Sequence, residues 1–275
     1  MRMHVDWLLG AAPACGVALW LVACATPPVT PNPPHATVAE LAPSGTLRAA
    51  INFGNPILAT KDPVTGEPRG VSVDLSRELA RRLGVPLELV TFTAAGKVVE
   101  GVTSNAWDVA FVAIDPVRGA DMDQTTPYVI IEGAYLVPQA SPIRDNAEVD
   151  RAGVRVVVGA GSAYDLYLTR ELKHAQLVRA PTSPAVVDTM VSGRYDVAAG
   201  VKQQLESDAR RVAGARLLAG RFMVINQAMA LPKGRPAGAR YLGDFVESVK
   251  ASGFVADALA RNGIDGAVVA PLAGK

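Results

Sequence analysis

Asp74-Leu75-Ser76-Arg77-Glu78-Leu79-Ala80-Arg81-Arg82-Leu83-Gly84-Val85-Pro86-Leu87-Glu88-Leu89-Val90-Thr91 is a helix and a strand written end to end. Leu75, Leu79 and Leu83 recur at helical spacing and share one face, and Gly84 stands at the stop position, where a chain can turn left-handed without a Cβ clash. Val85 to Thr91 then reads as a strand. Working outward, Leu47 to Ile51 is a strand before this unit. A helix near Lys97 to Thr103 and a buried-looking strand, Val109 to Ile114, follow it. Strands alternating with helices predict an α/β fold with a parallel or mixed sheet covered on both faces.

Part of the pattern recurs 88 residues later. Val98-Val99-Glu100 through Trp107-Asp108-Val109-Ala110 matches Val186-Val187-Asp188 through Tyr195-Asp196-Val197-Ala198. Each copy is a helix end, a polar turn, an aromatic-Asp pair and a strand. Chance among Val- and Ala-rich units is one explanation. The other is a similar α/β lobe in each half, with a crevice between them suited to a small molecule.

The N-terminus has a different character. Trp7 to Ala23 is uncharged and mostly apolar, follows Arg2, and ends in Leu21-Val22-Ala23-Cys24. Its length lies between a secretory signal core and a spanning helix, and Gly10 and Pro13 weaken it as a span. Its end resembles the lipobox of bacterial lipoproteins, in which the cysteine is lipidated. The expectation is a signal peptide at 1–23, with an uncleaved anchor as the alternative. Pro27, Pro28, Pro31, Pro33 and Pro34 favour extended chain, so 24–43 is expected to be a lipidated linker, with the fold starting near Ser44.

Composition removes several function classes. With 27 basic and 26 acidic residues and only 5% aromatics, the chain lacks the footprint of a nucleic-acid binder. His4 and His35 lie outside the expected fold, which leaves His174 alone and unable to build a His-based metal site. Both cysteines, Cys15 and Cys24, sit near the N-terminus, so the body has no thiol chemistry and no disulfide. No cofactor is expected, and nothing calls for an oligomer.

Several segments together resemble the family 3 extracellular solute-binding proteins of bacteria. Gly70-Val71-Ser72-Val73-Asp74-Leu75-Ser76-Arg77-Glu78-Leu79-Ala80 is similar to that family's "GFDVDLAKELA". Trp107 to Ala110 leading to Asp115-Pro116-Val117-Arg118 resembles "YDVII…TPER". Thr125-Thr126-Pro127-Tyr128 resembles "FSxPYY", and Gly193 to Val197 resembles "GRVDAV". The resemblance implies a two-lobed periplasmic-binding-protein fold, each lobe a mixed sheet flanked by helices, joined by two hinge strands. Lobe 1 is expected at 44–136 plus 224–265 and lobe 2 at 141–221. The hinges would lie around Leu136–Ser141 and Arg221–Val224, with a tail at 266–275.

The same resemblance implies site residues. Arg118 takes the place of the arginine that grips a ligand carboxylate, a task suited to a planar, permanently charged fork of donors. After the strand Val154 to Val158, Gly159-Ala160-Gly161-Ser162 turns into a helix and aims free N–H groups outward. Gly161, Ser162 and Ala163 are the second-lobe candidates, Ser162 also being a natural N-cap. Three positions depart from the family. Val201 stands where amino-acid binders carry an aspartate for the ammonium, Asp115 replaces the threonine of "TPER", and Ala113 replaces a carboxylate-binding serine. Asp115 is expected either to pair with Arg118 or to meet a cationic part of the ligand. Asn52, Phe53 and Asn55 occupy the first-lobe ligand loop, or are turn and core residues. Glu132 is a further candidate inside the apolar run Val129 to Val137, or faces solvent.

The implied function is capture of a small anionic or amino-acid-like solute for the membrane permease of an ABC-type importer, by a lipid-anchored, monomeric protein outside the cytoplasm. The alternatives are a cyclohexadienyl-dehydratase-like enzyme, with Asp115 or Glu132 as general acid, and a sensory lipoprotein.

Overall fold

The computed structural model describes residues 1, 3–4 and 33–274, so Cys24 and its lipobox lie outside the described residues. The elements run in chain order as α1 (His35–Leu41), β1 (Leu47–Asn52), β2 (Thr60–Lys61), β3 (Pro68–Arg69), α2 (Val71–Leu83), β4 (Leu87–Phe92), α3 (Ala95–Glu100) and β5 (Val109–Ala113). Next come β6 (Met122–Pro138), β7 (Arg155–Gly159), α4 (Ala163–Glu171), β8 (Gln176–Ala180), α5 (Val186–Ser192), β9 (Val197–Val201), α6 (Lys202–Arg211) and β10 (Ala215–Leu217). The chain ends with β11 (Met223–Pro232), α7 (Pro236–Ala251), α8 (Phe254–Arg261) and β12 (Val268–Val269).

The main sheet has the strand order β4-β1-β5-β11-β6-β9-β7-β8, with β10 and β12 also paired to β6. β1 is parallel to β4 and β5, and β7 is parallel to β8 and β9, while β11 and β6 run antiparallel to their neighbours. The sheet is therefore mixed, as expected. The long strand β6 belongs to both halves: it pairs with β11 up to Gly133 and with β9 from Gly133 to Leu136. Below, the first lobe means the strands on the β11 side with α1–α3, α7 and α8. The second lobe means β7–β10 with α4–α6.

Burial follows from this layering. All five residues of β5 and all five of β9 are buried, since helices cover both faces of these strands. Val109, Phe111 and Ala113 join one core cluster, while Ala110 and Val112 face Trp107 and Val98 on the other side. In β9, Val197, Ala199 and Val201 face the first cluster, and Ala198 packs with Val186, Val187 and Met190.

The 88-residue repeat is a structural repeat. Asp108 accepts from the backbone N–H and the side-chain Nε of Arg48, at 3.1 and 3.0 Å. Asp196 does the same for Arg155, at 2.8 and 3.1 Å. Each arginine also donates to a carbonyl in the preceding turn, Asn105 or Arg194, and these two are the non-glycine positions with positive φ among the described residues. In each lobe an aspartate just before one strand thus fastens the start of its parallel neighbour.

Several boundaries differ from expectation. α2 begins at Val71 rather than Asp74, because Val71, Ser72 and Val73 are buried and Asp74 already bonds the Gly70 carbonyl. α3 covers Ala95–Glu100 rather than Lys97 to Thr103, since the chain turns at Gly101 to admit the Trp107 indole, which donates to the Val98 carbonyl at 2.8 Å. The expected linker at 24–43 contains α1, which starts directly after Pro34. Leu41 is fully buried, and Glu40 accepts from the Gly238 N–H at the start of α7. The expected tail at 266–275 is packed too: β12 pairs with β6, and Lys250 donates to the Pro271 carbonyl.

Candidate ligand-binding site

The parallel strands of both lobes point their carboxyl ends at one cavity, the usual place for a ligand in open α/β sheets. Asn52 ends β1, Ala113 ends β5 and Val201 ends β9, and all three line it. The cavity is small, about 40 Å³. Its walls also include Asn55, Leu58, Ser72, Phe111, Ile225 and Gln227 from the first lobe, and Ser162, Ala163, Tyr164 and Ser183 from the second. Arg118 is the one charged side chain among the lining residues.

Arg118 follows β5 in a short 3-10 turn, Arg118–Ala120, and is only 2% exposed. Its Nη1 donates to the Ala113 carbonyl at 3.2 Å and its Nη2 to the Gly161 carbonyl at 2.9 Å. Its Nε has no partner among the described residues. Burial pushes the guanidinium down to about 10, against the opposing pull of Asp115. A buried cation held only by carbonyl dipoles, with a donor to spare, is chemically prepared for an anion.

The second-lobe wall forms as the sequence suggests. Ser162 is the N-cap of α4 and accepts from the Asp165 N–H at 3.0 Å. Gly161 does not line the cavity itself but bends the chain toward it at φ +67°, and a Cβ there would lie 2.8 Å from the Gly96 Cα of the first lobe. Two glycines therefore let the lobes touch backbone to backbone. Burial pushes the Tyr164 phenol up to about 12, so it faces the cavity neutral.

Of the remaining candidates, Asn52 and Asn55 line the cavity, and Phe53 and Glu132 lie elsewhere. Asn52 accepts from the Gly54 N–H at 2.8 Å, shaping the loop that carries Asn55 into the wall. Phe53 faces away, lining a separate surface depression with Leu87 and Leu89, and Lys61 lies 5.4 Å from its ring centroid. Glu132 is on β6, outside the cavity lining, held by Arg221 at 2.6 Å and Lys202 at 3.0 Å. Those two cations, Arg221 foremost, keep its carboxyl below the usual range.

Asp115 does not form the expected ion pair with Arg118 among the described residues. It is buried, yet among the described residues its ion-pair partner is Arg170, on the last turn of α4, at 2.9 Å. Its other oxygen accepts from the Val117 N–H at 2.9 Å.

A profile of the bacterial extracellular solute-binding proteins, family 3, matches residues 47–262. The chain belongs to this family. Solved structures with the same fold are similar to this family 3 protein at low identity. A binding component of an ABC transporter from Wolinella succinogenes, complexed with lysine, is 22% identical, with a TM-score of 0.69 over 79% of this chain and 95% of that one. The solute receptor for L-cysteine of Neisseria gonorrhoeae is 23% identical, with a TM-score of 0.72 over 82% and 93%. An ancestral amino-acid-binding protein, a precursor of cyclohexadienyl dehydratase, is 21% identical, with a TM-score of 0.70 over 82% and 98%. No curated protein sequence matches the chain. Among the described residues of this solute-binding protein, no helix is long and apolar enough to cross a membrane, and no cluster of metal-ligating side chains occurs.

Some wall residues were not anticipated. Gln227 reaches the site because β11 places it opposite Ala113, a long-range register that local pattern does not disclose. Ser183 follows β8 in a Thr-Ser-Pro turn, the kind of strand-end polar turn that marked Ser162. Arg170 carried no signal at all, being 55 residues from Asp115 and on the other lobe.

Proposed function

We propose that this protein captures a small carboxylate-bearing solute between two lobes, residues 44–136 plus 224–265 and residues 141–221, and delivers it to the permease of an ABC-type importer. The observation that carries the proposal is Arg118, a buried cation that lines the cavity and, among the described residues, is hydrogen-bonded only to carbonyls. Ser162, Ala163, Asn52 and Asn55 complete the grip from both lobes, and no carboxylate lines the same cavity. Val201 stands there as an apolar side chain, so solutes without an ammonium are favoured over ordinary α-amino acids. Binding rather than catalysis is supported by the engagement of both candidate general acids: Asp115 is paired with Arg170, and Glu132 with Arg221 and Lys202. The protein acts as a monomer, tethered outside the cytoplasm by lipid on Cys24 after loss of 1–23.

The test is calorimetric titration of a panel of short monocarboxylates, hydroxy acids, dicarboxylates and matched amino acids, repeated with Arg118→Lys. Lysine keeps the charge but loses the fork, so binding of the best carboxylate should fall markedly. Absence of binding by every carboxylate, or unchanged affinity in Arg118→Lys, refutes the proposal. Fatty-acid labelling that is lost in Cys24→Ser tests the anchor separately.

A further inference from the structure

Asp115 and Arg118 lie three residues apart in one turn of the first lobe, both buried, and still they form no ion pair with each other among the described residues. Arg170 explains the arrangement. It reaches from the end of α4 in the second lobe and takes Asp115 Oδ2 at 2.9 Å, while the Val117 N–H holds Oδ1 at 2.9 Å. Both Asp115 oxygens are thereby engaged. Arg118 meanwhile donates across the cleft to Gly161, two residues before α4 begins. The single turn 115–118 thus grips the second lobe twice, once by each charge. With Arg170 removed, the buried carboxylate would keep one N–H bond and lose its counter-ion. Arg118, three residues away, already feels the Asp115 charge, and pairing with it would take the guanidinium away from Gly161.

We propose that Arg170 is a positioning residue that acts through Asp115: it latches the second lobe over the cavity and keeps the Asp115 carboxylate off Arg118, so that Arg118 stays open to an anionic solute. The latch is a property of the ligand-free protein; only its effect on affinity rests on the proposed function. The latch differs from simple packing in one respect. Removing Arg170 alone frees a competing carboxylate, whereas removing Asp115 as well does not, so the double variant should behave better than the single.

The experiment uses the full chain as wild type, Arg170→Met, Asp115→Asn and the double variant. Small-angle scattering without ligand should give the largest radius of gyration for Arg170→Met. The double variant and Asp115→Asn should be alike and closer to wild type. Calorimetry with the tightest-binding monocarboxylate among acetate, propionate, lactate and pyruvate should follow the same order. Arg170→Met should lose roughly tenfold or more in affinity, and the double variant should recover most of that loss, as expected when an unpaired buried charge is the cause. A double variant no better than Arg170→Met overturns the inference, as does an Asp115→Asn protein whose ligand ranking changes, since Asp115 would then touch the solute. If scattering shows the recovery but no carboxylate binds the wild type, the latch stands and the proposed solute class falls.

Discussion

Replacing Arg118 with methionine separates what a buried cation does for the fold from what it does for a ligand. Methionine keeps the length and apolar stem but removes the charge. Burial lowers the guanidinium from its ordinary value to about 10, which at 1.36 kcal/mol per tenfold amounts to about 3 kcal/mol against holding the charge in place. Two bonds to carbonyls offset this cost, each contributing about 1.5–3 kcal/mol, with the 3.2 Å bond at the lower end. Ala113 keeps a second donor, Gln124 at 3.1 Å, so only the Gly161 carbonyl is stripped. Loss and gain nearly cancel, and the ligand-free variant should lie within about 1–2 kcal/mol of wild type; breaking a buried ion pair typically costs about 3–5 kcal/mol. The sign with pH follows from a folded value below the unfolded one. The penalty is complete below about 10 and is relieved only as pH rises from there toward the ordinary arginine value, so the difference between the two proteins should be flat from neutrality to mild alkali. Urea unfolding at constant m measures the ligand-free term, and thermal shift with the best carboxylate of the panel measures binding. Near-normal stability with no ligand-induced shift is expected. A ligand-free loss well above 3 kcal/mol would make Arg118 a structural ion, and a retained ligand shift would remove it from the site.

The repeated aspartates should differ in cost. Asp108 is fully buried and serves Arg48 and Arg235, so Asp108→Ala should lose about 3–5 kcal/mol in urea unfolding; Asp196 is 38% exposed, so Asp196→Ala should lose about 1 kcal/mol, and equal losses would contradict the burial argument. Gly161→Ala strains a left-handed residue by about 1–2 kcal/mol and pushes against Gly96, so scattering should show a more open protein with weaker solute binding; an unchanged radius of gyration would refute this. Val201→Asp places a carboxylate in the cavity at the N-cap of α6, a position that tolerates aspartate, and should shift preference from propionate toward L-alanine; tight L-alanine binding by the unmodified protein, undiminished in an Asp115→Asn, Glu132→Gln double variant, would count against it.

Local pattern carried the fold a long way, and long-range pairing accounts for what it missed. The helix ending at Gly84 and the strands at Leu47 and Val109 are visible because side-chain period and stop residues are local facts. The helix at His35–Leu41 escaped notice because proline-rich sequence precedes it and its support comes from α7, some 200 residues away. At the site, Arg118 and Ser162 were legible from motif and turn chemistry. Phe53 was not, because side-chain direction at a strand end depends on which face of the sheet the next loop covers. Glu132 alternates on a strand whose apolar run gives no hint that Lys202 and Arg221 converge on it from two other elements.

The charge of the cavity follows from three separate removals of negative charge. At the first position, Val201 lines the cavity with an apolar side chain, where the family resemblance implies an aspartate. Asp115 is drawn off by an arginine from the opposite lobe, and Glu132 by a lysine and an arginine beside the long shared strand. Together they leave Arg118 as the sole formal charge on the wall, and a buried charge of one sign selects for its opposite. A zwitterion would bring its ammonium into a space with no anion to receive it, at a cost of several kcal/mol; a monocarboxylate would not. The proposed reading therefore predicts a solute of charge −1 and weak binding of an ordinary amino acid, in a protein that shares its fold with a structure complexed with lysine and with a receptor for L-cysteine.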